Sequence, residues 1–173
     1  MAIEAQMREL VAKQACSELS ALYSRGLDRL DGDLLASVFF EDAYCEYGFY
    51  NGPPGPFIEF ALTALSEHAA NHHMLGQILI EVEGDEAFGE VYFSAYHKMP
   101  LEDGFQDMII AGRYIDRYEC REGVWKMVYR SERNDWSTTA PSSDSYFEQA
   151  PDGLRGSRGD DAVYDRAGRR APK

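Results

Sequence analysis

Hydrophobic residues in this chain first recur at helical spacing and later alternate along strand-like runs. Between residues 5 and 30 the apolar positions fall three or four residues apart, which predicts one long amphipathic helix. Those positions are Leu10, Val11, Ala15, Leu19, Leu22, Gly26, Leu27 and Leu30. Asp31-Gly32-Asp33 then predicts a stop and a new helix with Asp33 as its N-terminal cap. A short helix over residues 34–40 and a short strand over 43–47 are expected next.

The second half of the chain predicts one more helix and a sheet. A proline- and glycine-rich loop over 51–56 precedes a helix predicted over 57–69. Strands are predicted over residues 72–83, 86–98, 106–121 and 124–135. The connections at 83–85 and 121–123 have hairpin length, so these four strands should form an antiparallel meander. This order indicates an α+β fold in which N-terminal helices cover a long, curled sheet, and the resulting cone has an open mouth suited to a small molecule.

One domain is expected over residues 1–137, because a chain of 173 residues can bury a core of its own. Residues 151–173 are rich in Gly, Pro, Asp and Arg and poor in apolar residues, so they are predicted to be a disordered tail. The intervening segment 138–150 carries Tyr146 and Phe147. This pair either docks on the outer surface, which is the favoured alternative, or folds over the mouth as a lid.

Composition excludes several classes of protein. The net charge of −13 argues against a nucleic-acid partner, since phosphate binding needs a basic surface. No apolar run approaches the roughly 20 residues that span a bilayer, and the charged first ten residues do not form a secretory signal. The three cysteines, Cys16, Cys45 and Cys120, are odd in number and far apart, which fits a reducing cytoplasm rather than a disulfide framework. No cysteine or histidine cluster suggests a metal site, and no cofactor is expected.

Asp28 and His73 are the most informative candidate pair. Asp28 lies near the end of the first predicted helix, and His73 opens a strand-like run. A carboxylate bound to one imidazole nitrogen fixes the tautomer and raises the basicity of the other nitrogen, so such a pair removes a proton from activated carbon. The plain alternatives are a solvated acid, which the helix dipole disfavours at this end, and a structural histidine. Neighbouring His72 must point to the opposite face of the strand.

With these residues in view, the chain resembles a SnoaL-like member of the nuclear transport factor 2-like cone-fold superfamily over roughly residues 5–137. The resemblance is carried by Leu27–Gly32, Leu35–Phe39, His73, Gly112–Tyr114, Tyr118–Glu119 and Arg121–Lys126. It implies a cystatin-like α+β barrel. The pattern is similar to that of scytalone dehydratase, lindane dehydrochlorinase and bile-acid 7α-dehydratase, which use an aspartate ending the first helix and a histidine early in the second strand. Asp28 and His73 match those positions.

The same resemblance adds Tyr23 and Arg130 as catalytic candidates. Tyr23 lies five residues before Asp28, which resembles the spacing of a tyrosine and an aspartate in bile-acid dehydratase. The resemblance implies that Tyr23 polarises a substrate oxygen, and the alternative is that it only packs in the core. Arg130 matches a final-strand arginine of dehydrochlorinase and would stabilise an oxyanion or leaving group. Its alternatives are a surface charge or an ion pair with Asp28 or Glu132. Dehydrochlorinase also places a lysine on the first helix, and because none lies near Tyr23, loss of water fits better than loss of chloride.

Aromatic residues are plentiful enough to line a flat apolar pocket for an aromatic, alicyclic or steroid-like substrate. The predicted substrate-binding side chains are Tyr44, Tyr47, Tyr50, Tyr96 and Trp136. His97 and Asp107 are further polar candidates on the middle strands and receive less weight.

These observations predict a cofactor-free lyase of the dehydratase type, or a proton-transfer isomerase, acting on a small hydrophobic cyclic substrate through the pair Asp28 and His73. One alternative is a non-catalytic cone protein that binds a small ligand, since function resides in the site and not in the fold. Another is a polyketide-cyclase-like enzyme. The small β-subunit of a ring-hydroxylating oxygenase shares the fold but requires a large iron-bearing partner. The resemblance also implies a homo-oligomer, either a dimer or a trimer.

Overall fold

The computed structural model describes residues 2–143 and 145–170. The helices are α1 (Ala2–Arg29), α2 (Gly32–Ser37), α3 (Pro54–Ser66), α4 (Ser145–Gln149) and α5 (Arg166–Arg170). The strands are β1 (Phe39–Glu46), β2 (Asn51–Gly52), β3 (Ala70–Glu83), β4 (Glu86–Pro100), β5 (Phe105–Arg121) and β6 (Val124–Pro141).

The described strands form one six-stranded curved sheet in the order β2-β1-β6-β5-β4-β3. The long strands β3 to β6 pair antiparallel in sequence order, and β1 pairs with β6 in parallel. The predicted meander and the mixed α+β cone are therefore confirmed. Sheets of long strands twist and curl, and the curl here leaves an inner face that only a covering helix can shield from water.

Helix α1 supplies that cover. Its buried positions from Ala12 through Cys16, Leu19 and Tyr23 to Leu27 follow helical spacing and join the core that also contains the inner side chains of the sheet. Nearer its start, the helix leaves apolar side chains in solvent. These exposed residues are Ile3, Met7, Leu10 and Val11.

The junction between α1 and α2 is tight. A Cβ atom on Gly26 would lie 2.6 Å from the Leu35 side chain, so only glycine permits this approach of the two helices. Leu30 has a φ of 54° and ends α1. The cap of α2 is Asp31, whose carboxylate accepts a hydrogen bond from the Leu34 amide at 3.0 Å. The prediction of Asp33 as the cap is wrong by two residues, because α2 begins at Gly32, two residues before its apolar run.

Two further boundaries differ from the prediction. Phe39 and Phe40, expected at the end of a helix, begin β1, where pairing with β6 outweighs local helical spacing. The predicted loop over 51–56 contains β2 and the start of α3, in which Pro54 takes the first-turn position that tolerates proline.

The segment after β6 lies against the ends of α1 and α3. Arg158 donates to the carbonyl oxygens of Leu65 and His68 at 3.2 and 2.6 Å, and the Tyr164 hydroxyl donates to Asp31 at 2.9 Å. Strand β6 continues to Pro141, four residues past the expected domain boundary. The division into a domain, a docking segment and a disordered tail stays a prediction, and residues 171–173 lie outside the described residues.

A buried ion pair joins the two central strands beneath α1. Arg130 of β6 donates two hydrogen bonds to Asp116 of β5, at 2.8 and 2.7 Å, and both side chains are completely buried. Ser20 of α1 accepts from the same guanidinium at 3.1 Å, and Tyr118 donates to Asp116 at 2.7 Å. Charges this deep are tolerated only when paired and hydrogen-bonded.

We expect Asp116→Ala to lower the free energy of unfolding by about 3–5 kcal/mol, because it leaves the Arg130 charge buried without a partner. Urea unfolding followed by circular dichroism measures the loss. Asp135→Ala is the matched control, since it breaks an ion pair with Arg113 that solvent screens. An equal loss in the two variants would contradict the importance of the buried pair.

Candidate active site

An apolar cavity opens between α1, α3 and the inner face of the sheet. Its volume is about 170 Å³, which suits a ligand smaller than a typical drug. Phe49 and Phe60 are mostly exposed and border its mouth. Apolar side chains form most of the remaining wall, among them Leu27, Phe57, Ala61, Leu65, Phe93 and Ile110. The polar groups on the wall are Tyr23, His73, His97, Tyr114 and Glu132.

Asp28 and His73 meet beside this cavity, and His73 forms part of its wall. His73 Nδ1 lies 2.7 Å from Asp28 Oδ1, and the backbone amide of His73 donates to both carboxylate oxygens at 3.0 and 3.1 Å. The two side chains are only 14% (Asp28) and 6% (His73) exposed. Because the carboxylate accepts the Nδ1 proton, the lone pair of the neutral imidazole resides on Nε2. No hydrogen bond to Nε2 occurs within residues 2–143 and 145–170.

Local structure explains why these two residues meet. Asp28 lies in the last turn of α1, directly after the buried Leu27, at the edge of the helix that crosses the sheet. His73 lies opposite Ala95 in the β3–β4 register, and Ala95 is buried on the inner face. His72 alternates to the outer face and is exposed. The alternation expected for the two neighbouring histidines is therefore present.

Tyr23 lines the cavity with its hydroxyl 3.0 Å from the hydroxyl of Tyr47. Burial raises the pKa of Tyr23 well above its usual range, although the charge of Arg130 and the hydrogen bond to Tyr47 oppose the shift. The phenol therefore remains protonated at neutral pH and can donate a hydrogen bond to a ligand. Tyr47 does not line the cavity, and it supports Tyr23 and Phe57 from behind.

His97 is a second imidazole on the wall, 5.5 Å from His73 between ring centroids. Its Nδ1 and that of His68 both lie near the amide oxygen of Asn71, at 3.1 and 2.9 Å. Burial lowers the pKa of His97 to about 4, and the neighbouring His73 and His68 add to this effect. His97 is therefore neutral at physiological pH. The sequence pattern makes His97 only a minor candidate. However, His97 lies two residues after Ala95 on β4, so both side chains point to the inner face of the sheet and line the cavity.

Glu132 is a polar cavity residue that the sequence pattern does not identify as a site residue. It lies opposite Tyr114 in the β5–β6 register. Burial raises the pKa of the Glu132 carboxyl above its usual range, while Asn134, His73 and Arg130 pull it in the other direction. Its position two residues after Arg130 could have identified it, because residues two apart on a strand point to the same face of the sheet.

Arg130 lies beneath the cavity and not on its wall. Its guanidinium is 4.3 Å from the ring centroid of Tyr23 and 4.2 Å from that of Tyr114, and its charge is paired with Asp116. The alternating face of β6 that carries Arg130 is thus the inner one. The ion pair is formed with Asp116, and not with either of the two expected partners, Asp28 and Glu132.

The five side chains predicted to bind substrate lie elsewhere. Tyr44 and Trp136 are about half exposed, at 48% and 55%, because Tyr44 alternates with the buried Ala43 and Cys45. Tyr96 donates to Asp107 at 2.7 Å on the outer side of β4. Tyr50 donates to the Pro53 carbonyl at 2.6 Å, and Tyr47 lies behind the wall. Strand alternation and packing thus keep these residues away from the cavity. Residues of α3, such as Phe57, Ala61 and Leu65, form the corresponding part of the cavity wall.

The described residues also bear on metal binding and membrane insertion. Among the residues that the structure describes, no group of three or more His, Cys, Asp or Glu side chains is arranged to hold a metal ion. Within the same residues, every helix is too short or too polar to cross a bilayer. The cysteines Cys16, Cys45 and Cys120 are free thiols.

Comparison with known proteins gives consistent matches. The family model described as SnoaL-like domain matches residues 8–131. Hexachlorocyclohexane dehydrochlorinase 1 of Sphingobium indicum is 30% identical over 125 residues, which cover 68% of this chain and 78% of that protein. A candidate scytalone dehydratase from Novosphingobium aromaticivorans superposes with a TM-score of 0.67 at 24% identity, covering 78% of this chain and 91% of that one. A cystatin-like fold protein from Nostoc punctiforme gives 0.59 at 19% identity, covering 71% and 90%. The two structural matches show the fold.

The depressed pKa of His97 predicts a specific loss of stability in acid. Below pH 6.5 the unfolded chain gains a proton at this residue, whereas the folded protein does not until about pH 4. The free energy of unfolding should therefore fall by up to about 3 kcal/mol as the pH decreases through this window. Urea unfolding at several pH values, compared with His97→Gln, isolates this contribution. The same decline in both proteins would contradict the assignment of a buried neutral His97.

Proposed function

The chain belongs to the SnoaL-like domain family, and from that premise we propose that it is a cofactor-free lyase of the dehydratase type, or a proton-transfer isomerase. The proposed substrate is a small, apolar, cyclic molecule. The observation that carries this proposal is the 2.7 Å hydrogen bond between His73 Nδ1 and Asp28, made by an imidazole that also lines the cavity.

His73 is the proposed general base. With Nδ1 committed to Asp28, the lone pair on Nε2 is available to take a proton from carbon next to a carbonyl group. The carboxylate stabilises the imidazolium that forms, and the three hydrogen bonds to Asp28 hold the ring in place. General-base assistance of this kind contributes about 10²–10⁴ in rate.

Tyr23 is the proposed electrophile. Its protonated hydroxyl on the cavity wall would donate to the substrate carbonyl and stabilise the enolate that develops when the proton leaves. The Tyr47 hydroxyl, 3.0 Å away, would donate to Tyr23 in turn and strengthen this effect. Arg130 has a positioning role in this scheme, since its guanidinium packs against the rings of Tyr23 and Tyr114 instead of lining the cavity.

The size and polarity of the cavity support a compact ring as substrate. Its wall is mainly aromatic and aliphatic, and it carries a few polar groups that include His73 and Tyr23. The name of the Sphingobium relative describes elimination from a six-membered chlorinated ring, which is the same class of reaction. The chain has no lysine near Tyr23 on α1, and this supports loss of water over loss of chloride.

We expect His73→Gln to lower kcat/KM by about 10²–10⁴ while the variant keeps its fold. The probe is β-hydroxycyclohexanone, whose dehydration to the conjugated enone is followed by ultraviolet absorbance. The β,γ-unsaturated isomer of cyclohexenone gives the same product without a leaving group and therefore separates lyase from isomerase activity.

His72→Gln is the matched control for this experiment, because it changes the neighbouring histidine on the outer face of the same strand. Its activity should equal that of the unsubstituted protein. Absence of enone above the buffer rate with both probes, or equal activity of the two histidine variants, would refute the proposed function and favour a cone protein that only binds its ligand.

We also propose that the protein forms a homo-oligomer through the outer face of β3 and β4. Exposed apolar side chains cluster on that face, and they are Met74, Leu79, Phe88 and Tyr92. Light scattering coupled to size exclusion should give a mass of two or three times the 19.5 kDa of one chain. A mass of one chain at micromolar concentration would contradict this expectation.

A further inference from the structure

Glu132 is a carboxyl group on the wall of a mainly apolar cavity, where a hydrogen bond to Asn134 and the charges of His73 and Arg130 only partly offset the cost of burial. It shares the wall with Tyr23, His73 and Tyr114. Within the described parts of the chain no ion pair reaches it. Burying a carboxylate in apolar surroundings is costly and shifts its protonation equilibrium toward the neutral form.

The cation on the same face of β6 is already neutralised. Arg130 lies two residues before Glu132 and makes its hydrogen bonds to Asp116 at 2.8 and 2.7 Å, with both side chains fully buried. A structural role for Glu132 as the counterion of Arg130 therefore does not account for its presence. Carboxyl groups left unpaired in a cleft are characteristic of catalytic sites.

The carboxyl group and the proposed base line the same cavity, Glu132 from β6 and His73 from β3. The charge of His73 acts on the Glu132 carboxyl, so the two groups lie within electrostatic reach of each other. In a β-hydroxy carbonyl compound the proton to be removed and the hydroxyl group to be expelled sit on neighbouring carbon atoms, so a base and an acid that share one small cavity can act on both. Titratable groups around the cavity are Tyr23 of α1, His73 of β3, His97 of β4 and Tyr114 of β5.

From this arrangement we propose that Glu132 is the general acid of the site and protonates a hydroxyl group as it leaves the substrate. This inference rests on the proposed function and narrows it to the loss of water from a cyclic β-hydroxy carbonyl compound. Burial raises the pKa of the Glu132 carboxyl, which is the direction that a proton donor needs.

The reaction balances without a further reactant. His73 Nε2 removes the proton next to the carbonyl, and that electron pair forms the new carbon–carbon double bond. The carbon–oxygen bond breaks, and the departing oxygen takes the proton of Glu132 and leaves as water. The site is then an imidazolium and a carboxylate, and transfer of one proton from His73 to Glu132 restores both groups.

A pair of probes with different leaving groups tests the acid directly. β-Hydroxycyclohexanone loses hydroxide only with proton assistance, whereas β-acetoxycyclohexanone loses acetate without it, and both give the same enone. Glu132→Gln should lower kcat about 10²–10⁴-fold on the hydroxy compound and by less than about tenfold on the acetoxy compound. His73→Gln should impair both reactions, because both begin with the same proton abstraction.

These outcomes separate the two proposals. If Glu132→Gln affects both probes equally or leaves the hydroxy compound unaffected, Glu132 is not the acid, and the role of His73 still stands. If His73→Gln affects neither probe, the proposed function itself fails.

An infrared readout tests Glu132 without any substrate. The difference spectrum between the unsubstituted protein and Glu132→Gln at neutral pH should contain the carbonyl band of a protonated carboxylic acid. Glu81→Gln, which changes an exposed glutamate on the outer face of β3, should give only carboxylate bands. A carboxylate band for Glu132 would overturn the proposal. Thermal unfolding of Glu132→Gln should occur at the same or a higher temperature, which shows that any loss of activity is not a loss of fold.

Discussion

The carboxylate of Asp28 ties the end of the covering helix to the first long strand. It accepts three hydrogen bonds from His73, two from the backbone amide and one from the ring. The same contacts therefore close the cone and orient an imidazole on its wall. A carboxylate near a helix C-terminus opposes the helix dipole, so its position is explained by these bonds and not by helix stability.

Two ionisable side chains on the inner face of β6, Arg130 and Glu132, have different surroundings. Arg130 and Asp116 neutralise each other beneath the cavity, and the guanidinium lies between two tyrosine rings that form part of the wall. Glu132, on the same strand face, makes no salt bridge among the described residues, and burial raises the pKa of its carboxyl. Proteins retain such groups where chemistry needs them, and they accept the cost in stability. Arg130 and Asp116 therefore have a structural role, whereas we assign Glu132 a chemical one.

Much of this arrangement could be predicted from the sequence, and the failures have local causes. Helical spacing in α1, the long alternating strands and the placement of Asp28 opposite His73 followed from residue pattern and from resemblance. Strand parity decides which side chains reach the cavity: Tyr96 alternates outward, while His97 beside it lines the cavity wall. The role of α3 in the wall was not predictable, since its packing depends on contacts distant in the sequence, such as that between Tyr47 and Phe57.

The tautomer of His73 is the most direct test of the central claim, that Asp28 holds this ring with its lone pair on Nε2. Long-range nitrogen–proton correlation spectra of the imidazole ring distinguish the two neutral tautomers. The account predicts a single Nδ1-protonated form of His73 in the unsubstituted protein and its loss in Asp28→Asn. A His73 ring protonated on Nε2, or one that averages between tautomers as a solvent-exposed histidine does, would contradict it.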